Sequence, residues 1–145
     1  MKAINKVYSN ICLSACLKND MPMQLSKLIS AQSAFETNNF TSNAFVKSNN
    51  GFGYKFVKGA KLQRPIECIH STESDYYASY LTYENSIIEV CNWIKRRQKE
   101  TKFPQNLITI QTPEQYAHLL KSCGYYGAKE TDYKAGLEMY FNQLI

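Results

Sequence analysis

Glu36 stands alone. In "SAQSAFETNNFTSNAFVKSNNGFGYK", residues 30–55, it is the single acid, and no basic residue lies between Lys27 and Lys47. Its neighbours are Ala34, Phe35, Thr37 and Asn38. A carboxyl set against apolar surface and away from cations resists ionisation, so its pKa rises. An acid that keeps its proton near neutral pH is suited to general acid catalysis. A Glu in the last turn of a helix opposes the helix dipole, so helix formation alone gives little reason for it. Other candidate groups are Glu67 in "RPIECIH", Glu73 and Asp75 in the turn "STESD", and the hydroxyls of Tyr125, Tyr126 and Tyr133. Acids and Ser in such a turn are also ordinary exposed residues.

The elements that must position these groups follow from periodicity and punctuation. Residues 3–18 carry Ile4, Val7, Tyr8, Ile11 and Ala15 at helical spacing. "KNDMP" interrupts, with Pro22 suited to a helix start and Asp20 as a nearby cap. The second helix, about 22–37, brings Glu36 into its last turn, and Asn38-Asn39 end it. A short helix over 41–48 leads to "SNNGFGYK". Residues 54–82 change character: "YKFVKGAKLQ" reads as strand, Gly turn, strand, and the following stretch to Tyr83 as a second strand pair. Helical period returns in "ENSIIEVCNWIKRRQKE", with Asn85 or Ser86 as cap and Ile87, Ile88, Cys91 and Ile94 or Trp93 inward. Thr112, Pro113 and Gly124 delimit another helix, and a last one covers about 131–144. Helices, a small sheet, then helices make an α+β domain, mainly α. The expectation is one domain over 1–145 with 54–82 as the β-lobe.

Composition narrows the function. The chain has 145 residues, 44% hydrophobic and 20% charged, enough for a core without staples. A net charge of +5 fits an anionic partner or simple solubility. Lys95-Arg96-Arg97 complements a helix C-terminus, and no nucleic-acid-binding signature accompanies it. The five Cys, at 12, 16, 68, 91 and 123, are odd in number and lack CxxC spacing; they read as free thilos of a protein folded under reducing conditions. His70 and His118 lie far apart, so no metal or other cofactor is expected. No stretch is long enough to span a membrane. The interrupted "VYSNICLSACL" reads as a first helix and not as a signal peptide, so a cytoplasmically made protein would need another route outward.

Two motifs now add a resemblance. Ala31-Gln32-Ser33-Ala34-Phe35-Glu36-Thr37 and Asn49-Asn50-Gly51-Phe52-Gly53-Tyr54-Lys55 resemble the "AQAALE(S/T)" and "NNLFGIK" motifs of glycoside hydrolase family 73. These are endo-β-N-acetylglucosaminidase domains of autolysins, flagellar wall hydrolases and phage lysins. Tyr80 to Ser86 resembles the family's strand end, and Gly124 to Ala135 its "GYATDPNYA" segment. The likeness covers about 23–144. It departs at Gly51, where the family has Leu or Val, at Asn38-Asn39-Phe40, where an aromatic often follows the acid, and in the β-lobe.

The resemblance implies a lysozyme-like helical lobe with a small β-hairpin lobe beside a cleft. It implies cleavage of the β-1,4 bond after N-acetylglucosamine in peptidoglycan, with Glu36 as general acid. Counting back thirteen residues from Tyr80 makes Glu67 the favoured second carboxylate, with Glu73 and Asp75 as rivals. Tyr133 matches the family's active-site Tyr. Phe52 and Tyr54 would shape the cleft floor, Asn50 hold the loop or touch N-acetyl groups, and Tyr125 and Tyr126 stack on sugar or pack. Peptidoglycan strands are the expected partner and the wall or periplasm the expected place of action, in a virion or secretion apparatus. The alternatives are a wall-contacting structural protein without activity and a lytic transglycosylase.

Overall fold

The computed structural model describes residues 2–70 and 76–144; of residues 65–70 it describes the backbone alone. The chain is organised around α2 (Met23–Glu36). Leu25, Leu28 and Ile29 on it are fully buried, and so are Ser26, Ser30, Gln32 and Ser33. A helix buried on every side needs small residues where neighbours approach and partners for its hydroxyls. Ser26 Oγ donates to Pro22 O at 2.9 Å, Ser30 Oγ to Ser9 O at 2.9 Å and Ser33 Oγ to Gly51 O at 2.8 Å.

Around it stand α1 (Lys6–Lys18), α3 (Asn43–Ser48), α4 (Tyr83–Lys99), α5 (Pro113–Ser122) and α6 (Glu130–Phe141). The caps explain most boundaries. Asn5, Ser42 and Thr82 each accept from a backbone N–H of the following first turn, and Thr112 forms a full capping box with Gln115. Gly124, at φ +74°, ends α5 as the sequence predicts. Two predicted caps are displaced. Thr82, not Asn85 or Ser86, caps α4, because that helix starts at Tyr83. Asp20 does not cap α2; it sits in a left-handed turn at φ 70° and pairs with Lys95 at 3.1 Å. From α4 the residues Ile87, Val90, Cys91 and Ile94 are buried, while Ile88 and Trp93 are half-buried.

The β-lobe is one antiparallel hairpin, β1 (Gln63–His70) and β2 (Tyr76–Tyr80), with Gln63 opposite Tyr80 and a break in register between Arg64 and Ile69. The strand pair predicted within 54–63 does not form. Residues 54–56 instead add an edge to β2, through Phe56 N to Tyr76 O and Ala78 N to Tyr54 O, both 2.8 Å. The chain then turns at Gly59, at φ +84°.

The approach of α6 to α2 sets the site. A Cβ on Gly136 would lie 2.2–2.6 Å from three carbons of the Phe35 ring, so only a glycine lets these helices close to this distance. Gly136→Ala is expected to destabilise the protein by about 1–3 kcal/mol through overpacking. Chemical denaturation checks this, and Phe35→Leu in the same background should restore part of the loss.

Candidate active site

Glu36 is the last residue of α2. The chain reverses at once after it: Asn38, Asn39 and Phe40 all take left-handed conformations, at φ 49°, 57° and 65°. Asn is among the few residues that adopt this region readily, which accounts for the Asn-rich stretch. Asn39 also fastens the turn to the N-terminal segment, accepting from Asn5 N and donating to Ala3 O, both at 2.8 Å. Thr37 Oγ1 closes the helix end, donating to Ser33 O at 2.7 Å and accepting from Phe40 N at 2.8 Å.

The loop after α3 is carried against the carboxyl. Asn50 is its internal brace. Its amide donates to Tyr54 O (2.9 Å) and Ala78 O (3.0 Å), and its carbonyl accepts from Phe52 N (3.3 Å) and Tyr54 N (3.2 Å). With its hydrogen-bonding capacity used inside the protein, Asn50 builds the loop and does not offer the sugar contact considered for it. Phe52 is likewise buried, at 2% exposure, so it supports the loop from beneath. Tyr125 Oη donates to Phe52 O at 3.1 Å, and its ring meets those of Tyr54 at 5.9 Å and Trp93 at 5.2 Å; that places Tyr125 in the packing under the loop. Tyr54 is half-buried, and its hydroxyl lies inside. Gly53 has φ +69°, and a Cβ there would stand 3.2 Å from Glu36 Oε2. Gly53 thus serves the turn and also brings bare backbone up to the carboxyl, a second duty with no local signature in the sequence.

Tyr133 comes from α6. Its hydroxyl donates to Glu36 Oε1 at 2.7 Å. The ring lies edge-on to Phe35, with centroids 5.1 Å apart, and is stacked on Tyr126 at 3.8 Å and 7°. Tyr126 is itself held, by donation from its hydroxyl to Ala117 O at 2.9 Å and by Lys121 Nζ 5.0 Å from its ring centroid. One face of Tyr126 therefore packs on Tyr133 and cannot stack on sugar.

Burial pushes the pKa of Glu36 up to about 7, and the hydrogen bond from Tyr133 pulls against that rise. Because Oε1 already accepts the Tyr133 proton, the carboxyl's own proton belongs on Oε2, beside Gly53. Glu36, Tyr133 and the Gly53 backbone thus form one cluster. Glu67 lies on β1, its side chain outside the described ones; Glu73 and Asp75 lie outside the described residues. One carboxylate passed over in the sequence is Glu89. It accepts from Tyr80 Oη and from Gln63 Nε2 (3.1 Å), and burial raises its pKa. It fastens both strands to α4 at the base of the hairpin. Among the described residues no group of three His, Cys, Asp or Glu side chains is arranged to hold a metal ion.

A helical lobe with a proton-bearing Glu at the end of its central helix, beside a small hairpin, defines a lysozyme-like glycoside hydrolase. The chain belongs to the glucosaminidase family, described as mannosyl-glycoprotein endo-beta-N-acetylglucosaminidase, whose model matches residues 17–144. No curated protein sequence matches it. Among solved structures it is similar to the glycoside hydrolase domain of FlgJ from Salmonella typhimurium, with 22% identity, 94% of this chain and 92% of that one covered, and a TM-score of 0.64. It is also similar to a peptidoglycan hydrolase from Sphingomonas sp. A1 (16% identity, 90% and 85% covered, TM-score 0.67). A type VI secretion system effector-immunity complex from Pseudomonas protegens gives 16% identity, 96% and 89% coverage and a TM-score of 0.67.

The raised pKa of Glu36 has a consequence for stability. Between about pH 4.5 and 7 the folded protein keeps a proton that the unfolded chain releases. Stability from this group is therefore full below pH 4.5 and lost as pH rises through 7. Glu36→Gln removes the titration but can still accept from Tyr133. The variant should match the wild type near pH 4.5 and exceed it by on the order of 3 kcal/mol at pH 8. Denaturation midpoints at the two pH values check this.

Proposed function

We propose that the protein hydrolyses the β-1,4 glycosidic bond after N-acetylglucosamine in peptidoglycan. The observation that carries the reading is the Tyr133–Glu36 hydrogen bond on a carboxyl whose pKa is raised to about 7. Family membership supplies the reaction class. The similarity in fold to a peptidoglycan hydrolase supports the choice of polymer.

Glu36 donates its Oε2 proton to the glycosidic oxygen as the bond from that oxygen to the anomeric carbon breaks. Positive charge develops on the sugar, and the carboxylate left behind faces it. The Tyr133 hydroxyl, already directed at Oε1, stabilises that carboxylate as it forms. Water then delivers its hydroxide to the anomeric carbon and its proton to the site, restoring the acid. Glu67 remains our candidate for the carboxylate opposite, with Glu73 and Asp75 as rivals.

The wall is the proposed place of action, reached through a secretion apparatus or a virion. Cys12, Cys16, Cys91 and Cys123 are free thiols, the first three of them buried, which supports folding under reducing conditions before delivery. Among the described residues no helix is long and apolar enough to cross a membrane.

Digestion of purified wall by the wild type should release fragments with new reducing N-acetylglucosamine ends. Fragments ending in 1,6-anhydro-muramic acid would instead identify a transglycosylase, and no fragments a binding protein. Glu36→Gln should lower the rate by roughly 10²–10⁴-fold, the usual worth of a general acid.

Tyr133→Phe should act differently. The acid must be protonated, so activity falls as pH rises through the Glu36 pKa. Losing the hydroxyl removes a hydrogen bond that lowers that pKa. The alkaline limb of the pH–rate profile should move to higher pH while the plateau rate drops. Rates across pH 5–9 on a soluble glycan fragment check both effects.

A further inference from the structure

Tyr126 takes no part in the proposed proton transfer, yet the phenol that meets the acid lies flat against it. The ring centroids of Tyr126 and Tyr133 are 3.8 Å apart and their planes 7° from parallel. Aromatic rings left to themselves prefer offset or edge-to-face contact to so close an overlap, because both faces carry negative charge density. The overlap is therefore imposed by whatever anchors the two rings. Tyr133 is carried by α6. Tyr126 lies in the segment between α5 and α6, outside any helix or strand, so side-chain contacts must set its place.

Those contacts come from one face of α5, where Ala117 and Lys121 are four residues apart and hence neighbours. Ala117 O accepts from Tyr126 Oη at 2.9 Å. Lys121 Nζ donates to Ala128 O at 2.6 Å and Gly127 O at 3.3 Å, and reaches Tyr126 O at 3.5 Å. The same ammonium stands 5.0 Å from the Tyr126 ring centroid. The space between the two rings cannot admit it, so it covers the outer face of Tyr126. There it draws on the π density of that ring and eases the repulsion of the overlapped faces. Hydroxyl, backbone and outer face of Tyr126 are thus all engaged. Tyr133 lies against this wall and is met edge-on by Phe35 at 5.1 Å. In the plane so defined its hydroxyl reaches Glu36 Oε1 at 2.7 Å.

We propose that Tyr126, seated by Lys121, is a positioning residue whose flat face fixes the plane of the Tyr133 ring and so keeps the phenol aimed at Glu36. The proposal rests on Glu36 being the general acid of the hydrolase. A side chain that only filled space here could be any apolar group of similar volume, whereas one that sets a plane must itself be a ring. Among the described residues, the titratable groups facing Glu36 are Tyr133 and Tyr125, and those facing Tyr126 are Lys121, Tyr133 and Glu130.

The test titrates the Glu36 carboxyl carbon by NMR in the full chain, alongside initial rates on a soluble glycan fragment. Tyr126→Leu keeps apolar bulk and removes the flat face; Tyr126→Phe keeps the face. With Leu the Tyr133 hydroxyl leaves Oε1 for part of the time, so the Glu36 midpoint should rise by roughly 0.3–1 pH unit, and kcat should fall with KM steady. Phe should restore most of both, and Lys121→Met should fall between the two. In a Tyr133→Phe background Tyr126→Leu should add nothing to the midpoint, since it acts through that hydroxyl. An unmoved midpoint in Tyr126→Leu would overturn the proposal, as would a shift of equal size persisting without the Tyr133 hydroxyl. If Tyr126→Leu fails to fold, Lys121→Met decides by the same two criteria. Midpoints that move as expected while no wall fragments form leave the hold on Tyr133 standing and sink the hydrolase reading; fragments with unmoved midpoints do the reverse.

Discussion

The hydrogen bond between Tyr133 and Glu36 ties α6 to the end of α2. It needs α6 to lie close enough to α2 for a phenol to reach the helix end, and that approach needs Gly136 under the Phe35 ring. It needs Tyr133 held in rotation, which Phe35 on one side and the Tyr126 stack on the other supply. Burial around the pair keeps Glu36 uncharged for much of the time, against the pull of the hydrogen bond. Among the described residues, the groups beside the carboxyl are the Tyr133 hydroxyl and the Gly53 backbone. The site's acidity is therefore set by what the sequence leaves out between Lys27 and Lys47 as much as by what it places there.

Much of this was legible in the chain. Helix limits agreed to within a few residues wherever a Thr, Ser or Pro marked a terminus, because a cap is a local interaction between neighbours in sequence. Glu36 could be singled out from the missing charges around it, and Tyr133 from its family motif. What escaped notice depends on contacts across the chain. Gln32 looks like any polar residue in an apolar helix until Tyr116, 84 residues away, takes its carbonyl. Glu89 looks solvent-facing between Ile88 and Val90 until the hairpin base folds onto it. Asn50, Phe52, Tyr125 and Tyr126 read from the sequence as substrate contacts, yet their atoms turn to backbone and to neighbouring side chains. Loop chemistry read from residue types cannot tell a brace from a ligand contact.

The departure at Gly51 shows how the family pattern can change without losing the loop. The family motif that this loop resembles has Leu or Val there. Here a Cβ at residue 51 would come within 2.4 Å of Tyr83 Cε1. The Tyr83 ring occupies that space from the opposite direction, held by its hydroxyl on Ser33 Oγ at 2.7 Å, while Ser33 donates to Gly51 O. Tyr83 also packs with Tyr8, Phe40 and Phe45 at 5.0–6.1 Å. The apolar volume at this point comes from the first turn of α4, and the Ser33–Gly51 hydrogen bond fastens the loop to α2.

That exchange bears on whether the domain has drifted from catalysis. Loss of function would be expected to loosen the loop that meets the acid, since nothing would then select its backbone path. Instead the loop is braced internally by Asn50, from below by Tyr125, from α2 by Ser33 and from α4 by Tyr83, and Gly53 still meets the Glu36 carboxyl. Three other parts of the fold converge with Asn50 to place one glycine. Their combined constraint acts on the surroundings of Oε2, the atom from which the proton leaves in the proposed reaction. A fold kept only for contact with a partner has no need to fix that atom, whereas a general acid does.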